Sequence, residues 1–348
     1  MKRTTRNATL CLLLGLLTWQ TAGAQNTKYI AGVDEYVPAP GQFINTLPAA
    51  DANDTPTTMA AKCTQLLANG AGEMVTLGAY GGYITFHFDH AVANVPGEMD
   101  FAVWGNALSN GSEPGIVMVS QDENGNGMPD DTWYELSGSA DVDSVGKVVY
   151  GYEIIYTKQG DLKNVGWTDN RGQSGEVPRN GFHKQEYFPL WLGNQLTFKG
   201  TLLPTNARNT ATSGQNWVLS ALRYGYADNQ PNDDVMGNSF NLDWAVEPVS
   251  RQSISLSHAD FIRVYTALNQ VPGWLGETST EVTGAEDLHL EESLAQQTGI
   301  DDATQANTRI AETRTMATWR DLSGRTLSGK PSQKGIYIVN GKKLIINK

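Results

Sequence analysis

Between residues 73 and 268 apolar and polar residues alternate in short runs: "EMVTLG", "YITFHFD", "MDFAVWG", "GIVMVSQD", "TWYELSG", "YGYEIIYTK", "QLTFKG", "NWVLSALRYG" and "DFIRVYTAL". Each run is rich in β-branched and aromatic residues and is bounded by Gly, Asn, Pro or Asp, the pattern of strands joined by tight turns. Only residues 57–69 carry a helical spacing, with Met59, Cys63, Leu66 and Leu67 on one side, Thr57 or Thr58 as the cap and Gly70 as the stop. Strand–helix–strand alternation is absent. The expected fold is all-β, an antiparallel two-sheet jelly-roll-like sandwich with one short helix, spanning about residues 28–290.

The two ends depart from this pattern. Lys2, Arg3 and Arg6 precede the apolar run "LCLLLGLL", and the small residues "AGA" precede Gln25. This is the make-up of a secretory signal peptide over residues 1–24, its apolar run too short to span a membrane. Cys11 begins that run after Leu10, the wrong place for a lipoprotein cysteine. After Leu290 the chain turns polar and acidic, without aromatics, and residues 291–314 are expected to form a linker or frayed helix. Residues 315–348 then hold three short strands joined by Ser-Gly, Gly-Lys and Asn-Gly turns, too little to be an independent functional domain.

Charge and cysteine content narrow the function. The chain carries 25 basic and 37 acidic residues; removing Lys2, Arg3 and Arg6 with the signal peptide leaves 22 against 37, a net of −15. Nucleic acid and anionic membrane are poor partners for such a protein. Cys63 is the one cysteine that remains, and its place on the apolar side of a helix makes it a core residue rather than a nucleophile. An exported protein without a disulfide relies on a large core, on bound ions, or on both.

An ion site is written into "SQDENGNGMPDDTWYEL". Asp122, Asn124 and Asn126 alternate, Gly127 follows, and Asp130 and Asp131 come next, the D-x-[DN]-x-[DN]-G start of a calcium loop. Trp133 stands where an EF-hand has its bidentate Glu, so this is a shorter loop between strands, closed by Asp130 at position nine with the Met128 carbonyl at position seven. Ca²⁺ is the expected cofactor, and Asp131 or water completes its shell. An Asn-Gly turn without an ion is the competing reading. A second acidic run, "YADNQPNDD", with Asp228, Asn229, Asp233 and Asp234, either completes that site, holds another ion or forms an ordinary Asp/Asn loop.

Catalytic motifs are missing: no serine elbow, zinc helix, phosphate loop or nucleotide fingerprint occurs. Glu277 and Glu281 in "GETSTE" form a possible carboxylate pair of the glycosidase kind, equally explained as a solvated strand edge. His87 and His90 in "HFDH" read as paired or exposed histidines rather than metal ligands. Trp167, Trp191 and Trp274 lie in turn-rich segments, and with Arg171 they would suit stacking on a sugar or another planar ligand; each would otherwise plug a gap beneath a loop.

The body resembles a family of cell-surface proteins of Bacteroidota through "YVPAPGQFIN", "LGAYGGYITFHFDH", "SEPGIVMVSQDENGNGMPDDTWYEL", "WVLSALRYGYADNQPND", "NLDWAV" and "DFIRVYTALNQVPGWLGETSTEV". From about residue 298 the tail resembles type IX secretion sorting domains through "TGID", "DLSGR" and "KGIYIVNGKK". The resemblance implies secretion or attachment to the outer-membrane surface, with the type IX machinery as a partner. Some family members are encoded beside outer-membrane uptake systems, including those for corrinoids. Together these features lead us to expect a calcium-stabilised, non-catalytic protein that binds a glycan or small-molecule nutrient ligand, in contact with an uptake receptor. A carbohydrate-active hydrolase using a carboxylate pair is the alternative.

Overall fold

The computed structural model describes residues 26–297 and, beyond them, the strands Trp319–Arg320, Gly335–Val339 and Lys342–Ile346. The segment read as a signal peptide, most of the segment read as a linker and most of the one read as a sorting module lie outside the described residues. The body is an all-β fold in which every paired strand runs antiparallel. Its centre is a six-stranded sheet in the order Gly32–Val37, Tyr83–His87, Phe261–Thr266, Gly115–Ser120, Trp133–Leu136 and Ala245–Val246. A four-stranded sheet (Ser174–Val177, Val165–Asp169, Val149–Lys158, Gln195–Leu202) and a three-stranded one (Ser239–Phe240, Phe101–Trp104, Gly284–Asp287) accompany it, with several two-stranded pairs.

The alternation of the three central strands fixes which side chains face which layer. Ile84, Phe86, Val117, Val119, Ile262 and Val264 share one core cluster with Phe101, Val103, Phe240 and the helix residues Met59, Cys63 and Leu67. Their neighbours in sequence face the opposite way. There Ile116 and Tyr265 are buried and Tyr83 and Met118 pack on them, while Tyr152, Ile154, Tyr156 and Phe198 of the four-stranded sheet continue the apolar layer beyond Tyr83. The central sheet is therefore covered on both faces, which is why its strands read as almost continuous apolar runs.

All nine predicted runs contain strands, although "NWVLSALRYG" keeps only Trp217–Leu219. Gly32–Val37, Val165–Asp169 and Ser174–Val177 went unpredicted; Trp167 accordingly sits on a strand, not in a turn. The helix runs Pro56–Leu67, and its cap is Thr55, not Thr57 or Thr58: Thr55 and Thr58 exchange side-chain-to-backbone hydrogen bonds as a capping box. Cys63 is a free, fully buried core residue, as its position on the helix predicted. The linker also opens in ordered structure, the helix Leu290–Gln297, whose buried Ser293 accepts the backbone N–H of Ala93 at 3.0 Å.

Candidate functional site

Acidic residues from three distant parts of the chain gather at one cleft: Glu113, Glu277 and Glu281 line its floor, and buried Asp228 lies beside Glu113 and Glu281. Glu113 lies two residues before the Gly115–Ser120 strand. Asp228 follows Ala227, which bridges to Gly115; Glu281 opens the Glu281–Val282 strand paired with Val75–Thr76; and Glu277 lies in the loop before it. Carboxylate oxygens of Glu113, Asp228 and Glu281 lie within 4.8 Å of one another. Asp228, Glu277 and Glu281 are buried, so a solvated edge does not describe the Glu277/Glu281 pair.

Backbone and hydroxyl groups hold the carboxylates in place. Asp228 accepts the backbone N–H of Asn106 (2.7 Å) and of Glu281 (2.9 Å). Glu281 accepts Thr76 Oγ1–H at 2.9 Å, and Glu277 Oε1 accepts the N–H of Gln42 at 2.5 Å. Gly105 and Gly41 are required by this packing, since a Cβ on them would meet Asp228 Oδ1 at 2.3 Å and Glu277 Oε1 at 2.7 Å. Glu277 Oε2 is buried with no hydrogen-bond partner.

Burial penalises every one of these charges. It pushes the Glu277 carboxyl up to about 8 against the opposing Gln42 N–H. It also raises Asp228, Glu113 and Glu281, the last two further through the charges of their neighbours. None of the described residues lining the cleft is Lys or Arg.

Above the acids the cleft encloses about 570 Å³ and is walled by Phe43, Phe182, His183, Trp217, Trp274 and Leu275. Gln215 fastens two of these walls, its Oε1 accepting Trp217 Nε1–H (3.0 Å) and the backbone N–H of Trp274 (3.2 Å). Trp274 is 56% and Phe182 79% exposed, so the rim presents bare apolar surface over a floor of carboxyl groups.

The expected ligand-binding set is not gathered in one place. Trp274 lines the cleft; Trp167 borders a shallow groove with Thr157 and Gln159 on the four-stranded sheet. Arg171 is exposed at the neighbouring turn, and Trp191 packs on the core, stacked 5.8 Å from Tyr36. Asn106, Glu113, Gln215 and Trp217 were missed. Nothing in their local spacing ties them to "GETSTE", although "YADNQPNDD" did flag Asp228. His87 and His90 are paired with aspartates, at 2.8 Å from Asp34 and 2.6 to 2.8 Å from Asp89 and Asp287.

The Asp122–Asp131 loop curls around its own carboxylates. Asp122 accepts the N–H groups of Asn126 (3.0 Å) and Gly127 (2.8 Å), and the amides of Asn124 and Asn126 reach Asp130 at 3.1 to 3.3 Å. Hydrogen bonds thus tie Asn126 to Asp122 and both Asn124 and Asn126 to Asp130, and Asp131, next in the chain, has a buried oxygen, Oδ2, with no partner. The Met128 carbonyl accepts the N–H of Asp130 at 2.9 Å. No family model and no curated protein matches the chain.

Proposed function

We propose that this is an exported, calcium-stabilised ligand-binding protein whose binding site is the aromatic-rimmed cleft above Glu113, Asp228, Glu277 and Glu281. The observation that carries the reading is the exposed rim of Trp274 and Phe182, with half-buried Trp217 beside them, over a polar floor, the make-up of a site that stacks on a ring and orients its hydroxyl or amide groups. A glycan or another nutrient ligand such as a corrinoid fits this chemistry. The export half rests on the two chain ends, which also make the type IX machinery and an outer-membrane uptake receptor the expected partners. The calcium half rests on the spacing of Asp122, Asn124, Asn126 and Asp130 in one hydrogen-bonded loop and on the unpaired Asp131 Oδ2.

A glycan array and a corrinoid titration identify the ligand. Calorimetry then compares the wild type with Trp217→Ala and Trp274→Ala, each expected to weaken binding several-fold, since a ring stacked on a ligand contributes about 0.5 to 1.5 kcal/mol beyond area burial. Trp167→Ala and Trp191→Ala serve as controls away from the cleft. Full affinity in both cleft variants refutes the assignment.

One observation favours a second reading. A carboxyl raised to about 8, with a free oxygen in a cleft, is suited to general-acid work at neutral pH, and a glycosidase needs such an acid beside an ionised partner. Turnover of a bound glycan, abolished in Glu277→Gln, would establish the hydrolase; binding without turnover leaves the binder.

A further inference from the structure

Resting on the cleft reading above, we propose that the ligand is cationic: a protonated amine carried on a ring, as in an amino sugar, with the ammonium received by Glu277 and the ring by the aromatic wall. Two independent observations point to the same sign of charge. The first is a missing hydrogen bond. Glu277 lines the cleft while only 3% exposed; its Oε1 accepts the Gln42 N–H at 2.5 Å, and its Oε2 has no partner among the described residues. An ammonium brings donors and no acceptor, so it supplies what that carboxylate oxygen lacks. The second is the wall. Trp217, Trp274, Phe43 and Phe182 line the same cleft, and aromatic rings attract cations to their faces, tryptophan most strongly.

The surroundings of Glu277 disfavour an anionic ligand. Glu113 and Glu281 line the cleft with it, and among the described lining residues there is neither Lys nor Arg. Burial raises Glu113 and Glu281, and neighbouring acids, Glu277 among them, raise both further. Tyr156 and Tyr187 also feel the Glu277 charge, and His183 lines the same cleft; of these groups only His183 can turn positive. Arg179, outside the cleft lining, spends its guanidinium on the carbonyls of Leu162, Lys184 and Gln185. Burial pushes the Glu277 carboxyl up to about 8, so in the empty cleft at neutral pH it is mostly protonated. An entering ammonium favours the ionised form, and the proton leaves to the buffer as the ion pair forms. Binding of the cation is therefore coupled to release of about one proton, which a neutral ligand of the same shape does not cause.

Calorimetry on the full chain at neutral pH compares two pairs of probes that differ in charge: benzylamine with benzyl alcohol, and a glucosamine oligosaccharide with its N-acetylated counterpart. In at least one pair the amine should bind about tenfold more tightly than its neutral partner. Titrations in buffers of different ionisation enthalpy should show about one proton released with it. A preference confined to the oligosaccharides makes the source a glycan, and one confined to benzylamine makes it a small amine; both support the cation. Glu277→Gln keeps an oxygen for the Gln42 N–H and removes the acid, so it should erase the preference together with the proton release. If circular dichroism shows that this variant does not fold, the wild-type comparison still decides. Neutral probes that bind as tightly as the amines, or an amine preference and proton release unchanged in folded Glu277→Gln, overturn the proposal.

The same variants separate this proposal from the one beneath it. Equal binding of amine and neutral probe that weakens in Trp217→Ala and Trp274→Ala refutes the cationic ligand and leaves the cleft as the site. Failure of both amines to bind also refutes the cation, and the glycan array and corrinoid titration then decide the cleft. Amine binding unaffected by Glu277→Gln and by both tryptophan changes refutes the cleft reading and the cationic ligand together.

Discussion

His90 holds its two ring nitrogens against two carboxylates, Nδ1 at 2.6 Å from Asp89 and Nε2 at 2.8 Å from Asp287, with the imidazole fully buried. Both contacts are hydrogen bonds only when both nitrogens carry protons. Burial works against the charged ring, but the hydrogen bonds and charges of Asp287 and Asp89 outweigh it and hold the pKa above the ordinary 6.5. A histidine raised in the folded state adds stability that is complete below 6.5 and is lost as pH rises through the folded-state value. Urea unfolding from pH 6 to 9 should therefore show the wild type losing stability as pH climbs above about 6.5. His90→Gln should start lower and show a flatter profile in that window. An equal slope in both proteins would mean that another group carries the pH dependence.

At the scale of elements, what the sequence revealed and what it hid divide by distance along the chain. Strands such as Gly115–Ser120 and Phe261–Thr266 are visible because alternation is local. Val165–Asp169 was hidden by its Gly and Asp, and it becomes a strand by pairing with Val149–Lys158, which no local pattern announces. The Thr55–Pro56 step does mark the helix start, since Pro suits the first turn, yet the threonines that follow compete for the cap. The cleft lies at the other extreme. "GETSTE" suggested a carboxylate pair, but its burial depends on Gln42, Glu113 and Asp228, brought beside it only by the folded sheets.

The Asp122–Asp131 loop is legible for the opposite reason, because all the oxygen donors that suggest an ion lie within ten residues. Its prediction belongs to this scale as well. The loop joins two strands paired from Met118–Glu135 to Ser120–Trp133, so an ion in it would pin the end of that hairpin. Calcium should raise the melting temperature of the wild type, and Asp122→Ala, compared with itself in chelator, should lose the part of the rise that the loop supplies. An equal calcium response in the two proteins would place all of the stabilisation elsewhere.

For the whole molecule, the question is where the folded body ends. The composition places the boundary at Leu290, but the helix Leu290–Gln297 continues past it and is tied to the body. His289 donates its N–H to Asp287 at 2.7 Å, Ser293 is buried against Ala93, and Gln296 reaches the Ser257 carbonyl at 3.3 Å. The body therefore includes this helix, and the sorting-type tail begins after it. A chain ending at residue 297 should be soluble and melt within a degree or two of the full protein, because among the described residues the tail strands pair with one another and with no strand of the body. A chain ending at residue 289 should melt measurably lower: the Ala93 N–H loses its acceptor at a buried position, a loss of about 1 to 3 kcal/mol where water cannot replace it. Calorimetric melting of the two truncations decides the matter. Equal melting temperatures would return the helix to the linker, whereas a large drop on removing residues 298–348 alone would make the tail part of the fold and weaken the case for a detachable sorting module.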